Sequence, residues 1–151
     1  MRRRVMLKRS AEVAAMLAAT GLWPLMARAA WPQAAFDAKG VADAVKALGG
    51  AAPQENTGVT LTAPDIAENG AVVPVACACT LPDVRRLVLL VEKNPNTLAA
   101  VFEINEALEP SFATRVKLAQ SSNVYAVALM ADGTAWFAQK EVKVTLGGCG
   151  G

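Results

Sequence analysis

From Val59 to Leu146 the chain is a succession of short apolar runs, each cut by turn chemistry before a helix could propagate. The runs span residues 59–62, 71–80, 86–92, 99–104, 113–118, 124–130 and 134–146. Between them lie Glu68-Asn69-Gly70, Asn94-Pro95-Asn96, Ser121-Ser122-Asn123 and Asp132-Gly133, residue types that either tolerate φ > 0 or bond their own backbone. Asp132-Gly133 between two apolar runs is the clearest hairpin signal. Seven short strands without intervening helices predict a mainly β fold, an antiparallel, immunoglobulin-like β-sandwich. The Cys-Trp-Cys spacing of an antibody domain is not present, so that likeness is architectural.

Alternation along the runs predicts which faces are wet. Val116 and Leu118 alternate with Arg115 and Lys117, and Val142, Val144 and Leu146 alternate with Glu141, Lys143 and Thr145, as half-exposed strands do. Residues 87–91 and 124–130 are apolar on both faces and need a cover. One candidate lies upstream: Phe36, Ala44, Val45 and Leu48 recur at helical spacing within residues 34–48, and Gly49-Gly50 supplies a stop. We expect one amphipathic N-terminal helix there, weakened by about 1 kcal/mol at Gly40. A second protein is the other candidate cover, and pattern alone does not choose between them.

The first 29 residues read as a targeting segment. Arg2-Arg3-Arg4-Val5-Met6-Leu7-Lys8 carries a twin-arginine pattern, residues 13–27 are uncharged but short of a membrane span, and Ala27-Arg28-Ala29 offers small residues for cleavage near Ala29 or Ala30. The expected organisation is a signal peptide at 1–29, a helix plus sandwich at 30–146 and a terminal arm at 147–151, with export to the periplasm and no membrane attachment after cleavage. Six basic residues against Glu12 give the segment +5 of the chain's +2, leaving −3 for the remainder. No basic patch interleaved with aromatics survives in that acidic remainder, which argues against nucleic-acid binding.

Histidine is absent, which removes Ser-His and Cys-His nucleophile pairs and His-rich metal sites. The three cysteines are Cys77, Cys79 and Cys149. Cys77 and Cys79 are two apart in a predicted strand, so both sulfurs point to one face. They read as small buried side chains, as a strained disulfide, as one half of a bridge to a partner chain, or as two thiolates for a soft metal, although two ligands are too few for a closed site.

Cys149 has the opposite setting, Gly147-Gly148-Cys149-Gly150-Gly151. Gly147, Gly148, Gly150 and Gly151 have no Cβ, so the tail bends readily and stays thin, and three extended residues beyond Leu146 carry the sulfur roughly 10 Å outward. Such an arm suits insertion into another protein's active site, because nothing within it orients or activates the thiol. A free thiol titrates near about 8.5, and a neighbouring terminal carboxylate disfavours the thiolate further, so Cys149 is a modest nucleophile until a pocket activates it. The expected function is therefore covalent carriage on Cys149, without turnover, cofactor or metal. A disulfide half or an inert tail are the plainer alternatives.

Four stretches also carry a resemblance. Asp65-Ile66-Ala67-Glu68-Asn69-Gly70-Ala71-Val72-Val73-Pro74-Val75, Lys93-Asn94-Pro95-Asn96, Thr114-Arg115-Val116-Lys117-Leu118-Ala119-Gln120 and Val142-Lys143-Val144-Thr145-Leu146-Gly147-Gly148-Cys149-Gly150-Gly151 resemble the SoxY family, sulfur-carrier subunits of the periplasmic thiosulfate-oxidising Sox system. The resemblance runs from about Ala34 to the end. It implies an immunoglobulin-like sandwich paired with SoxZ as a heterodimer, which would also cover the doubly apolar strands. It implies that Cys149 is loaded with thiosulfate by a c-type haem enzyme, then visits a sulfate-releasing hydrolase and, in complete systems, a sulfur dehydrogenase. Cys77 and Cys79 depart from what a single-thiol carrier needs and leave a structural or intersubunit disulfide open. Competing readings are a periplasmic copper-binding sandwich using Cys77 and Cys79, a ubiquitin-like carrier activated at Gly150-Gly151, and an adhesive module.

Overall fold

The computed structural model describes residues 3–19 and 32–148, and the chain divides into two compact units, Met1–Trp31 and Pro32–Gly151. In the first unit the described residues form helix α1 (Arg3–Ala19). No helix among the described residues is long and apolar enough to cross a membrane. The expected cleavage point near Ala29 lies outside the described residues.

The second unit contains helices α2 (Gln33–Asp37) and α3 (Val41–Ala47), followed by strands β1 (Gln54–Glu55), β2 (Val59–Thr62), β3 (Ile66–Asn69), β4 (Val73–Cys79), β5 (Val84–Val91), β6 (Leu98–Glu103), β7 (Ser111–Val116), β8 (Ser122–Met130) and β9 (Ala135–Leu146). One sheet has the order β1-β9-β8-β5-β6, with β3 pairing further along β9, and the second has the order β2-β4-β7. The two sheets make a mainly β sandwich. Its β8–β9 hairpin turns where Asp132-Gly133 predicts it: Gly133 sits at φ 87°, and Asp132 Oδ1 accepts from the Thr134 hydroxyl at 2.6 Å and the Thr134 N–H at 2.9 Å. Those donations hold the Asp132 carboxyl below its ordinary range.

Period-2 alternation splits β5 and β8 between two apolar layers. Leu87, Leu89 and Val91, with Val124, Ala126 and Ala128, face the second sheet and meet Val59, Val73, Val75 and Val116. Val88, Leu90, Val127 and Leu129 face the other way and meet Ala35, Ala44 and Val45 of the helices. Every residue from Leu87 to Val91 is fully buried. At about 1.5–3 kcal/mol for each buried Leu or Val, this double-faced strand pair is the principal source of stability. The cover over the doubly apolar strands is thus the chain's own helical segment, and these strands do not call for SoxZ as the resemblance suggested.

The structure corrects three further details. The single helix expected over residues 34–48 is broken in two at Gly40, which takes φ 105° and precedes α3. The break is tied to the β5–β6 turn: the Gly40 N–H donates to Thr97 Oγ1 at 3.0 Å, and Lys39 Nζ donates to the Pro95 carbonyl at 2.5 Å. Second, the sandwich is not wholly antiparallel, because β1 and β3 both run parallel to β9. Third, β1 and β3 are strands that the apolar pattern does not reveal. They are two and four residues long and join the sheet through backbone pairing with β9.

Candidate functional site

Of the three cysteines, the described residues include Cys77 and Cys79, and both are buried. Cys77 and Cys79 lie on the inward face of β4, opposite Leu61 and Val59 of β2, and are 2% and 5% exposed. Both thiols are free. Burial pushes the Cys77 thiol up from 9.0 to about 11 and raises Cys79 as well, against a lowering hydrogen bond from the Leu81 backbone. Same-face neighbours on a strand are about 6.6 Å apart, whereas a disulfide holds its Cβ atoms within about 4.5 Å. A bridge between the two therefore needs the strand to distort, and a bridge to another chain needs a sulfur to leave the core. As placed, they act as small apolar side chains. Among the described residues no group of three or more Cys, Asp or Glu side chains is gathered to hold a metal.

Cys149, Gly150 and Gly151 lie outside the described residues, while Gly147 and Gly148 have defined positions. Past Leu146, where β9 ends, the chain enters a backbone junction at one end of the sandwich. The Gly70 N–H donates to the Leu146 carbonyl at 2.8 Å, the Leu118 N–H to the Gly70 carbonyl at 2.7 Å, and the Gly148 N–H to the Leu118 carbonyl at 3.0 Å. Gly148 is buried. Side chains are excluded here by contact. A Cβ on Gly148 would stand 2.9 Å from the Gly70 carbonyl, one on Gly147 would stand 2.5 Å from the Ala119 oxygen, and one on Gly70 would run into the Leu118 oxygen and come within 2.7 Å of the Gly148 nitrogen.

Two polar side chains support this junction. Asn94 brackets Leu118, with Nδ2 donating to the Lys117 carbonyl at 2.7 Å and Oδ1 accepting the Ala119 N–H at 2.9 Å. Ser121 Oγ accepts the Val144 N–H at 2.8 Å and ties β9 to the start of β8. Gly70, Asn94, Leu118 and Gly148 come one from each of the four stretches that carry the family resemblance, so segments far apart in sequence meet one residue before Cys149. Turn chemistry marks Asn94 and Gly70 in the sequence but does not indicate that Gly70 meets Leu146 and Leu118 or that Asn94 holds the peptides around Leu118.

Fold and junction together define a class: a two-sheet β-sandwich that anchors a cysteine-bearing tail through close glycine backbone contact. The family model for the sulfur oxidation protein SoxY matches residues 44–149, and the chain belongs to the SoxY family. Among solved structures it is similar to the sulfur carrier protein SoxY from Chlorobium limicola f. thiosulfatophilum, with 33% identity over 62% of this chain and 84% of that one and a TM-score of 0.56. A superoxide reductase (neelaredoxin) from Ignicoccus hospitalis is 22% identical over 60% of this chain and 82% of that one, with a TM-score of 0.52, a likeness of fold alone. No curated protein sequence matches the chain.

Proposed function

We infer that this SoxY-family chain is a sulfur carrier of the Sox system rather than an enzyme, and that Cys149 is the atom-bearing residue. The observation that carries the reading is the family match extending to residue 149, immediately beyond the buried, hydrogen-bonded Gly148. The other two thiols are in the core, raised by burial and hard to ionise, which supports the tail thiol as the working one.

Loading joins the Cys149 sulfur to the terminal sulfur of thiosulfate. The thiol loses one proton and the new S–S bond releases two electrons, which a c-type haem enzyme accepts. The adduct, Cys149–S–S–SO3 with one negative charge, then meets a hydrolase. Water cleaves the S–SO3 bond, sulfate and two protons leave, and a persulfide anion stays on the carrier for a sulfur dehydrogenase. At each step the carrier's own contribution is presentation: glycine on both sides of Cys149 admits a narrow pocket, and the ordering entropy lost at each docking favours release. A SoxZ-like subunit is the expected heterodimer partner. Residues 1–29 serve as the twin-arginine signal that delivers the domain to the periplasm.

The test is Cys149→Ser in a reconstituted thiosulfate-oxidising system. The carrier reading predicts complete loss of carrier-dependent thiosulfate consumption with an unchanged melting midpoint. Consumption at the wild-type rate contradicts it.

A further inference from the structure

Gly147 and Gly148 have a role that flexibility alone does not describe. The junction is a closed set of backbone contacts around one residue, Leu118, whose side chain is fully buried and whose peptide groups on both sides are held by Asn94. Leu118 in turn donates to Gly70 and accepts from Gly148. Gly70 closes the set by donating to Leu146 and by leaving open the space that Gly148 enters. The last of these contacts ends one residue before the cysteine.

We propose that Asn94 and Gly70 are positioning residues for the carrier thiol: through Leu118 they clamp Gly148, so that Cys149 is joined directly to an anchored residue. This rests on the carrier reading for what the thiol does, but the clamp itself does not. Gly148 is buried with its N–H bonded, and Cys149 is the next residue in the sequence. With Gly148 held, a client pocket must come up against the body of the carrier, and the segment that docking has to order does not include Gly147 and Gly148. Releasing Gly148 lengthens the segment that each docking event has to order, which weakens docking. Once docked, the client's pocket sets the reacting geometry. The clamp is therefore expected to act on KM and not on kcat.

The experiment compares Asn94→Ala, Gly70→Ala and the double variant with the wild-type chain by three readouts. Amide hydrogen exchange at Gly148 is expected to quicken roughly tenfold or more in each variant, since its N–H loses a fixed acceptor. The KM of the loading enzyme for the carrier is expected to rise several-fold at unchanged kcat. Alkylation of Cys149 by iodoacetamide, which needs no partner, is expected to keep its wild-type rate. The double variant is expected to match the stronger single, because both act through one contact. Asn94 is half-buried near the surface, so its truncation keeps the test open if Gly70→Ala fails to fold. Unchanged Gly148 exchange in Asn94→Ala overturns the clamp. Quickened exchange with unchanged KM overturns its part in docking, as does a parallel change in alkylation. Failure of the carrier reading shows separately, as turnover that survives Cys149→Ser.

Discussion

Strands β4 and β9 each lead to cysteine, and the fold treats the two sites in opposite ways. On β4 the sulfurs of Cys77 and Cys79 enter the core between the sheets, packed among Val and Leu side chains, where burial raises their pKa values and keeps them protonated. On β9 the core-facing series runs from the fully buried Val142 to Leu146, which is 66% exposed, and the backbone is then gripped at Gly148. One strand uses thiols as packing atoms and fixes their side chains. The other fixes only the main chain, one residue before a thiol, and encloses no side chain there. A carrier needs the second arrangement, and the first supplies part of the rigid body to which it is attached.

The comparison is broken most sharply by placing the same charge at both sites. Cys77→Asp puts a carboxylate into the core without a partner and is expected to cost several kcal/mol, comparable with the whole stability of a domain this size, read as loss of the cooperative thermal transition. Cys149→Asp is expected to change stability by less than about 0.5 kcal/mol while removing all carriage. A β-branched side chain at Gly147 tests the second site by shape. With the Ala119 oxygen 2.5 Å from where its Cβ would stand, Gly147→Val must shift the end of β9. It is expected to slow loading several-fold at a cost of about 1–3 kcal/mol, checked by single-turnover loading and thermal melting.

Smaller changes sharpen the contrast. Cys77→Ser buries a hydroxyl in place of a thiol and is expected to lower stability by about 1–3 kcal/mol, with loading unchanged. A further effect appears only at alkaline pH. The Cys77 thiol stays protonated in the fold up to about 11 but ionises from about 9.0 when unfolded. Its contribution to stability is therefore complete below about 9 and declines as pH rises towards 11, because over that interval the folded state holds the extra proton. Cys77→Ala is expected to flatten that alkaline decline in urea melts.

Seven strands could be read from the sequence because each has an apolar face or two, and the structure keeps them in order with ends moved by one or two residues. Gln54–Glu55 and Ile66–Asn69 could not be read, since what makes them strands is the backbone of β9 and not their own side chains. The cover over residues 87–91 was equally open in the sequence: periodicity shows that both faces are apolar, but not whether a helix 40 to 50 residues upstream or another protein lies on the second one. At the site, Cys149 and its glycines are conspicuous in the sequence. Gly70, Asn94 and Leu118 are not, because a hydrogen bond from residue 148 to residue 118 leaves no trace in local pattern.

On the proposed carrier reading, one sulfur carries and two pack. Peptide-resolved mass spectrometry of the protein isolated from thiosulfate-grown cells, with and without reductant, tests it most directly. The account predicts reducible sulfur adducts on the peptide containing Cys149, and unmodified, unbridged thiols on the peptide containing Cys77 and Cys79. Adducts or a disulfide on the Cys77–Cys79 peptide, with Cys149 bare, would contradict it.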